Sequence, residues 1–249
     1  MNVILHGSTG RMGQNVQKLL TGAHTLAAAV SPEQTTDPDK KQYAALTDFT
    51  GAADVIVDFS HHTAVAALLD YAVARKLPVV IGTTGHTPEE KERITRAAEE
   101  IPVFYSGNMS VGIALLVQLA RQTARAFPDA EVEIVEIHHD QKLDVPSGTA
   151  LMLADAVKSV RPDATYNIGR PAGGKRTREE IGIHSLRLGN VVGVHEVLVS
   201  TGTQTITLKH EAHDRMLFAE GAMAAAAYLV DRPAGLYNME TMLKGENDR

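Results

Sequence analysis

The stretch NVILHGSTGRMG, residues 2–13, decides the fold class. A short apolar run typical of a buried strand leads into three glycines spaced G-x-x-G-x-x-G, and apolar residues at helical spacing follow. Such a turn lets the backbone approach a pyrophosphate, and the helix N-terminus offers N–H groups and a positive dipole end. Thr9 stands where the usual G-x-G-x-x-G motif has a glycine. The turn could serve only to tighten packing, but its place between a strand and a helix favours dinucleotide binding.

Outward from this stretch, short apolar runs alternate with helical patterns. Four further strands are predicted, at 25–30, 53–58, 78–81 and 102–105. Helices are predicted at 64–75 and 88–99, the second capped by Thr87 ahead of Pro88. Short, non-alternating strands separated by helices predict an α/β, Rossmann-like, doubly wound parallel sheet over about residues 1–108.

Polar or glycine-containing turns follow three more of these strands, at 58–60, 82–85 and 106–110. The carboxyl ends of parallel strands meet at one edge of the sheet, where ligands bind in open α/β folds. We therefore expect these turns to complete the cofactor site.

The end of the second strand bears on the choice of cofactor. An acidic residue that binds the ribose hydroxyls is expected about 20 residues after the glycine turn, but this strand ends in Val30-Ser31-Pro32. With neutral Ser31 and with Lys40 and Lys41 further along, a 2′-phosphate is tolerated. NADPH is then at least as plausible as NADH, and dual use is expected.

The pattern changes after residue 110, and a smaller α+β domain with a mixed or antiparallel sheet is predicted. Helices are predicted at 110–127, 148–160 and 215–230. Residues 132–138 alternate as a strand with one buried face, and the polar stretch 161–180 is predicted to be a surface loop. Three strand-like runs, at 181–188, 191–200 and 203–210, are separated by Gly189-Asn190 and Thr201-Gly202, which predicts antiparallel hairpins.

The densest ionisable cluster is EIHHDQKLDVPSGTA, residues 136–150. Histidines beside a lysine suit proton transfer near neutral pH. Ser147 or Thr149 could cap the helix that follows, and the N–H groups there could hold a carboxylate. A solvated strand end or a metal site is the alternative, but adjacent histidines on a strand point to opposite faces, so no metal is expected.

Composition excludes several classes of function. The chain has 249 residues, 44% hydrophobic and 22% charged, with no Cys and no Trp. Thiol chemistry, disulfides and thiolate metal sites are thereby excluded. A net charge of −6 and 4% aromatic residues argue against a nucleic-acid partner. With no signal peptide or membrane span expected, the sequence predicts a cytoplasmic protein with a small-molecule partner.

The motifs together resemble the dihydrodipicolinate (4-hydroxy-tetrahydrodipicolinate) reductases, enzymes of diaminopimelate and lysine biosynthesis. They occur in the family's order over almost the whole chain: GSTGRMG, DFS, GTTG, NMSVGI, EIHHDQKLDVPSGTA, GIHSLRLGNVVGVHEV and FAEGA. The resemblance implies NAD(P)H-dependent reduction of a cyclic imine dicarboxylate by a homotetramer. It also implies a dinucleotide-binding domain from residues 1–109 and 216–249 and a substrate-binding and oligomerisation domain at 110–215.

The resemblance assigns roles residue by residue. His138 matches the proton donor or acceptor, and Lys142 matches the proton donor. The substrate-binding positions are His139, Ser147, Gly148, Thr149 and Arg215. The cofactor-binding positions are Gly7, Ser8, Thr9, Gly10, Arg11, Met12, Gly82, Thr83, Thr84, Ser106, Gly107, Asn108 and Met109. The chain departs from the family pattern at Gly107, Leu188, Glu211 and Glu220, away from the His-His-x-x-Lys core.

Two other functions remain open on the residues alone. A different NAD(P)-dependent two-domain oxidoreductase would explain the glycine turns but not the HHDQKLDVPSGT run. A non-catalytic NAD(P)-sensing protein would need a partner-binding surface, typically a basic DNA-reading helix, and the sequence contains no such pattern.

Overall fold

The computed structural model describes residues 1–247 as two compact units, one formed by Met1–Ser110 with the segment from Arg215 onward and one formed by Val111–Asp214. The last two residues of the predicted range 216–249 lie outside the described residues. The strands are β1 Asn2–His6, β2 Thr25–Val30, β3 Gln42–Tyr43, β4 Val55–Asp58, β5 Val79–Ile81, β6 Pro102–Tyr105, β7 Glu131–His138, β8 Thr165–Ile168, β9 Glu180–Arg187, β10 Gly193–Ser200, β11 Thr205–Ala212 and β12 Gly235–Tyr237. The helices are α1 Arg11–Leu19, α2 Val65–Arg75, α3 Pro88–Ala97, α4 Val111–Ala126, α5 Gly148–Lys158, α6 Met216–Leu229 and α7 Met239–Asn247.

The first unit is built on a seven-stranded sheet in the order β12-β6-β5-β4-β1-β2-β3, in which every pair is parallel. Val3, Ile4 and Leu5 are all 0% exposed, so both faces of the central strand are covered. The predicted doubly wound sheet is confirmed. The chain reverses its direction of strand addition between β1 and β4, the point where ligands bind in such sheets.

Helix α6 joins this unit from the far end of the sequence and contacts α1, β4, β5 and β6. Its buried side chains are mostly alanines, which allow the helix to lie close to its neighbours. A Cβ at Gly221 would overlap the carbonyl of Met109, so close approach requires glycine there.

The second unit holds a mixed five-stranded sheet in the order β11-β10-β7-β9-β8. Strand β7 alternates buried and half-buried residues, as predicted, and its buried residues Val132 and Ile134 pack with helices α4 and α5. This alternation leaves every second residue of β7 on the opposite face, which decides where Glu136 and His138 lie.

Two expectations for this sheet are wrong. Strands β9 and β10 do not form a hairpin: β9 pairs parallel to β7 on one side, and β10 pairs antiparallel to it on the other. The linker around Gly189 can span two strand spacings of about 4.8 Å each, so a glycine turn does not require adjacent strands. The β10–β11 hairpin does form. The predicted loop 161–180 also contains β8, which pairs with the edge of β9.

Candidate active site

The first glycine turn is shaped by steric demand at two of its three glycines. Gly7 has φ +80°, and a Cβ there would overlap the backbone of Phe59. A Cβ at Gly13 would overlap the Gly7 carbonyl, so α1 can lie this close to the turn only with glycine. Gly10 is the extended N-cap of α1. The result is a backbone cradle at a helix N-terminus, which fits the pyrophosphate of a dinucleotide.

A buried carboxylate ties the turns of this sheet edge together. Asp58, 2% exposed, accepts hydrogen bonds from His6 Nδ1 at 2.7 Å, Ser60 Oγ at 2.6 Å and Thr83 Oγ1 at 2.5 Å. These partners follow or end β1, β4 and β5. The network therefore fixes three of the predicted cofactor turns relative to one another.

The remaining predicted cofactor residues also lie at the ends of β1, β5 and β6. A Cβ at Gly82 would overlap the Phe59 ring, so this turn too is closely packed. Ser106 Oγ donates to the Asn108 carbonyl at 2.7 Å and shapes the turn after β6. Burial divides the others: Ser8 and Met109 are buried, Met12 is half-buried, and Arg11, Thr84 and Gly107 are exposed.

Glu33 was missed by the sequence analysis. Its carboxylate accepts hydrogen bonds from Thr9 Oγ1 at 3.0 Å and from Ser31 Oγ. Thr9 Oγ1 and Ser31 Oγ are themselves 2.7 Å apart. An acidic side chain thus lies at the end of β2, two residues beyond the position where one was expected. The sequence signal that could have found Glu33 is its spacing of about 20 residues from the glycine turn at 7–13.

In the second unit, the alternation of β7 places Glu136 and His138 on the buried face. Glu136 is 0% exposed. It accepts hydrogen bonds from His138 Nδ1, from Ser147 N at 3.2 Å and from Arg187, whose Nη1 lies 3.0 Å from Oε2 and whose Nη2 lies 3.1 Å from Oε1. A buried carboxylate is tolerated because it is paired and fully hydrogen-bonded.

The titration of this cluster follows from burial and charge. Burial lowers the pKa of His138, and the Glu136 carboxylate opposes that shift without cancelling it. Burial alone would raise the pKa of Glu136, but its hydrogen bonds and the charges around it hold the pKa below its usual range. Burial, reinforced by His138, lowers the pKa of His195 to about 3. Both histidines are therefore neutral, and Glu136 is ionised, at neutral pH.

The loop after β7 carries the predicted lysine. Lys142 Nζ lies 2.8 Å from Asp144 Oδ1, and its side chain is 20% exposed. Arg187 Nη2 donates to the Asp144 carbonyl at 2.7 Å, which anchors this loop to β9. His139 is half-buried. Lys142 and His139 thus lie in the same short segment as His138, next to the start of α5.

Ser147 is the N-cap of α5, which decides between the two predicted caps, Ser147 and Thr149. Its Oγ accepts from Ala150 N at 3.1 Å and is hydrogen-bonded to His195 Nε2 at 3.0 Å. Gly148 and Thr149 form the first turn of the helix. No described atom would lie within 4 Å of a Cβ at Gly148. The helix start therefore presents backbone N–H groups on an open side, suited to a carboxylate.

Arg215 is the remaining predicted substrate-binding residue. It is the N-cap of α6, in the first unit. Within residues 1–247 there is no group of three His, Cys, Asp or Glu side chains that could hold a metal ion. No described helix is long and apolar enough to cross a membrane.

Two side chains that contact the predicted residues were missed by the sequence analysis, Arg187 and His195. Both come from strands β9 and β10, far from residue 138 in sequence. Both lie in the quoted GIHSLRLGNVVGVHEV stretch, but their contacts with this cluster follow from the strand order, in which β7 lies between β9 and β10. Glu136 was quoted in the cluster but given no role.

Comparison with known proteins covers both units. Residues 1–109 match the family model described as "Dihydrodipicolinate reductase, N-terminus", and residues 112–243 match "Dihydrodipicolinate reductase, C-terminus". A 4-hydroxy-tetrahydrodipicolinate reductase of Caldanaerobacter subterraneus subsp. tengcongensis is 41% identical over 247 residues, covering 98% of each chain. One of Exiguobacterium sp. is 42% identical over 244 residues, covering 97% of this chain and 95% of the relative.

Solved structures agree with these sequence matches. A dipicolinate-bound dihydrodipicolinate reductase from Paenisporosarcina sp. TG-14 superposes with a TM-score of 0.79 at 26% identity, covering 96% of this chain and 97% of the other. An amine dehydrogenase from Mycobacterium smegmatis, 10% identical with a TM-score of 0.64 over 97% of this chain and 95% of the other, shares the fold alone. The chain therefore belongs to the dihydrodipicolinate reductase family.

Proposed function

We propose that this protein reduces 4-hydroxy-tetrahydrodipicolinate to tetrahydrodipicolinate, a step of diaminopimelate and lysine biosynthesis in which NAD(P)H supplies a hydride and the 4-hydroxyl leaves as water. The observation that carries the proposal is that both halves of the family, its N-terminal and C-terminal models, match in order on residues 1–109 and 112–243. A different oxidoreductase on the same plan or a non-catalytic NAD(P) sensor would not need both matches.

The first unit is proposed to bind the dinucleotide. The turn from Gly7 to Met12 would hold the pyrophosphate against the start of α1, and the turns at 82–84 and 106–109 would line the rest of the cofactor. When bound, the reduced nicotinamide supplies the hydride. The Asp58 network supports this role because it joins the turns that follow β1, β4 and β5 through the side chains of His6, Ser60 and Thr83.

The second unit is proposed to bind the substrate. Its two carboxylates need cationic or N–H-rich partners, and Lys142, His139 and the start of α5 at Ser147, Gly148 and Thr149 are of that kind. A cationic Arg215 would add to this set. Neutral His138 can take up a proton once the dianionic substrate raises its pKa, and it can then donate that proton to the reduced ring, with Lys142 as the second donor.

We propose dual use of the cofactors, with NADH preferred. The Glu33 carboxylate at the end of β2 can accept hydrogen bonds from ribose hydroxyls, whereas a 2′-phosphate there would meet a like charge. The two lysines expected to offset that repulsion have other partners: Lys40 Nζ lies 2.8 Å from Asp37, and Lys41 Nζ donates to the Leu26 carbonyl at 2.8 Å.

A homotetramer assembled through the second unit is also proposed. Exposed large apolar side chains are concentrated there, and on the sheet Leu186 is 44% exposed next to Ile137 of β7. Such a face is suited to association with further copies of the chain. Light scattering on the wild type should give the mass of four chains, and a Leu186→Lys variant should give a lower mass. A monodisperse wild-type monomer would contradict the proposal.

The reaction is tested directly by mixing the protein with fresh dihydrodipicolinate synthase product and either cofactor. The expected result is loss of the reduced-nicotinamide absorbance that requires both the protein and the substrate. Binding of NAD(P)H without turnover would support the sensor alternative instead. Turnover only with other imines or keto acids would support a different oxidoreductase.

A further inference from the structure

Glu136 places a carboxylate in the interior of the second unit, on the strand that carries His138. The residues before it on the same face, Val132 and Ile134, are fully buried and apolar. Packing alone would favour a third apolar side chain at this position. An ionised carboxylate in such a place is costly unless it is paired, which points to a role beyond packing.

The partners of this carboxylate fix where its shared proton lies. Arg187 and the Ser147 backbone amide can only donate hydrogen bonds, and together they contact both carboxylate oxygens. Glu136 is therefore an ionised acceptor. In its remaining hydrogen bond, the proton must reside on Nδ1 of His138.

The other ring nitrogen of His138 is left open. No hydrogen bond to its Nε2 is present among the described residues. A Cβ at Gly193 would lie 3.2 Å from Nε2, so the glycine keeps this edge of the ring clear. Nε2 is the ring atom with an available lone pair in the Nδ1-protonated form.

We infer that Glu136, held ionised by Arg187, is a positioning residue that fixes the Nδ1-protonated tautomer of His138, so that Nε2 exchanges the proton with the substrate. The inference rests on the proposed function for the identity of the substrate. It concerns the tautomer of His138, however, and the tautomer can be measured in the protein without substrate.

The charged and titratable groups that face His138 come from every neighbouring segment. They are Glu136 on β7, Arg187 on β9, His195 on β10, and Lys142 with Asp144 on the loop after β7. Lys142 and Asp144 are paired with each other, and His195 is neutral. The Glu136 charge is thus the main factor that favours protonated His138, and its removal should lower the pKa of that ring.

The first experiment is ¹⁵N NMR of the full chain labelled at histidine, with His138→Gln used to assign the signal. Above its pKa, wild-type His138 should have a protonated Nδ1 and an unprotonated Nε2. A proton on Nε2 instead would overturn the inference, and this measurement does not depend on whether any Glu136 variant folds.

The second experiment compares Glu136→Gln with Glu133→Gln. Glu133 is the matched control, because it lies on the same strand, faces the other way and contacts His184 Nε2 at 2.7 Å. Glu136→Gln should lower kcat on the order of 10²-fold or more, as expected when a histidine loses the carboxylate that sets its tautomer. The KM for NADH should stay the same, and the alkaline fall of kcat should move to lower pH.

Glu133→Gln should keep the wild-type rate and pH profile, and Glu136→Asp, which retains the charge, should recover part of the lost kcat. A folded Glu136→Gln protein with wild-type kcat and pH profile would overturn the inference. A wild-type protein with no reductase activity would refute the proposed function instead, and the NMR measurement would still decide the tautomer.

Discussion

His138 and Lys142 bear the chemistry proposed for the second unit. We expect His138→Gln and Lys142→Ala each to lower turnover by roughly two orders of magnitude or more, because each removes a proton donor. The measurement is steady-state kinetics together with NADH titration by fluorescence, which should give unchanged cofactor affinity. His184→Gln, on β9, is the control. Near-normal turnover in both variants would refute these roles.

Glu33 is the residue on which the cofactor preference depends. Glu33→Gln keeps a hydrogen-bonding side chain beside Thr9 and Ser31 but removes the charge. We expect the ratio of NADPH to NADH affinity to rise about tenfold. Dissociation constants from fluorescence titration measure it directly. Asp39→Asn, a nearby exposed carboxylate, should leave the ratio as it is, and an unchanged ratio in Glu33→Gln would exclude the proposed preference.

Single residues also mark the limit of what the sequence can predict. The motif at 136–150 located His138 and Lys142 because its residue types suit proton transfer. Arg187 and His195 lie in the quoted GIHSLRLGNVVGVHEV stretch but could be given no role from it, since their contacts depend on strands that flank β7 in space. Glu33 is within reach of the spacing argument, but it lies two residues beyond Ser31, the position at which the spacing leads us to expect an acidic residue.

At the scale of elements, helix α5 couples stability to the substrate site through its cap. Ser147→Ala removes the acceptor for Ala150 N and the hydrogen-bond partner of His195 Nε2. We expect a loss of about 1 kcal/mol in the free energy of unfolding, together with a higher KM for the substrate. Urea unfolding and steady-state kinetics measure the two effects.

The matched control is Thr87→Ala, because Thr87 caps α3 in the first unit and accepts from Glu90 N at 3.3 Å. It should lose similar stability while the substrate KM stays at the wild-type value. Equal KM values in the two variants would mean that the start of α5 does not contact the substrate.

Most helices and the main parallel strands were predictable, and strand order in the second unit was not. Capping residues, glycine turns and periodicity located helices α1 to α6 and the five main strands of the parallel sheet, whereas α7 was not predicted. The short strands β3 and β12 have two and three residues and exist because an edge of the sheet is available to pair with. The position of β7 between β9 and β10 depends on long-range pairing, which local turn signals do not encode.

At the scale of the whole molecule, buried histidines link stability to pH. Burial lowers the pKa of His86 in the first unit and of His138, His195 and His210 in the second. In the unfolded chain these rings bind protons below their ordinary pKa of 6.5, whereas the folded state resists protonation. The contribution of these histidines to the free energy of unfolding is therefore fully present above that pH, and it is lost as the pH falls towards the lowered folded pKa values.

His195 should contribute most to this decline, because its folded pKa is about 3. One such ring costs about 1.4 kcal/mol of unfolding free energy per pH unit across the interval. Urea unfolding followed from about pH 7 to about pH 5 should show at least this slope in the wild type, because His86, His138 and His210 add to it. In His195→Gln the slope should be smaller by the equivalent of about one proton, which is about 1.4 kcal/mol per pH unit, because the variant lacks the ring that the unfolded state protonates. His213→Gln, at an exposed position in the same unit, should retain the wild-type slope. Equal slopes in all three proteins would mean that His195 is not held neutral by burial. His195 could then no longer be counted as a neutral neighbour of His138.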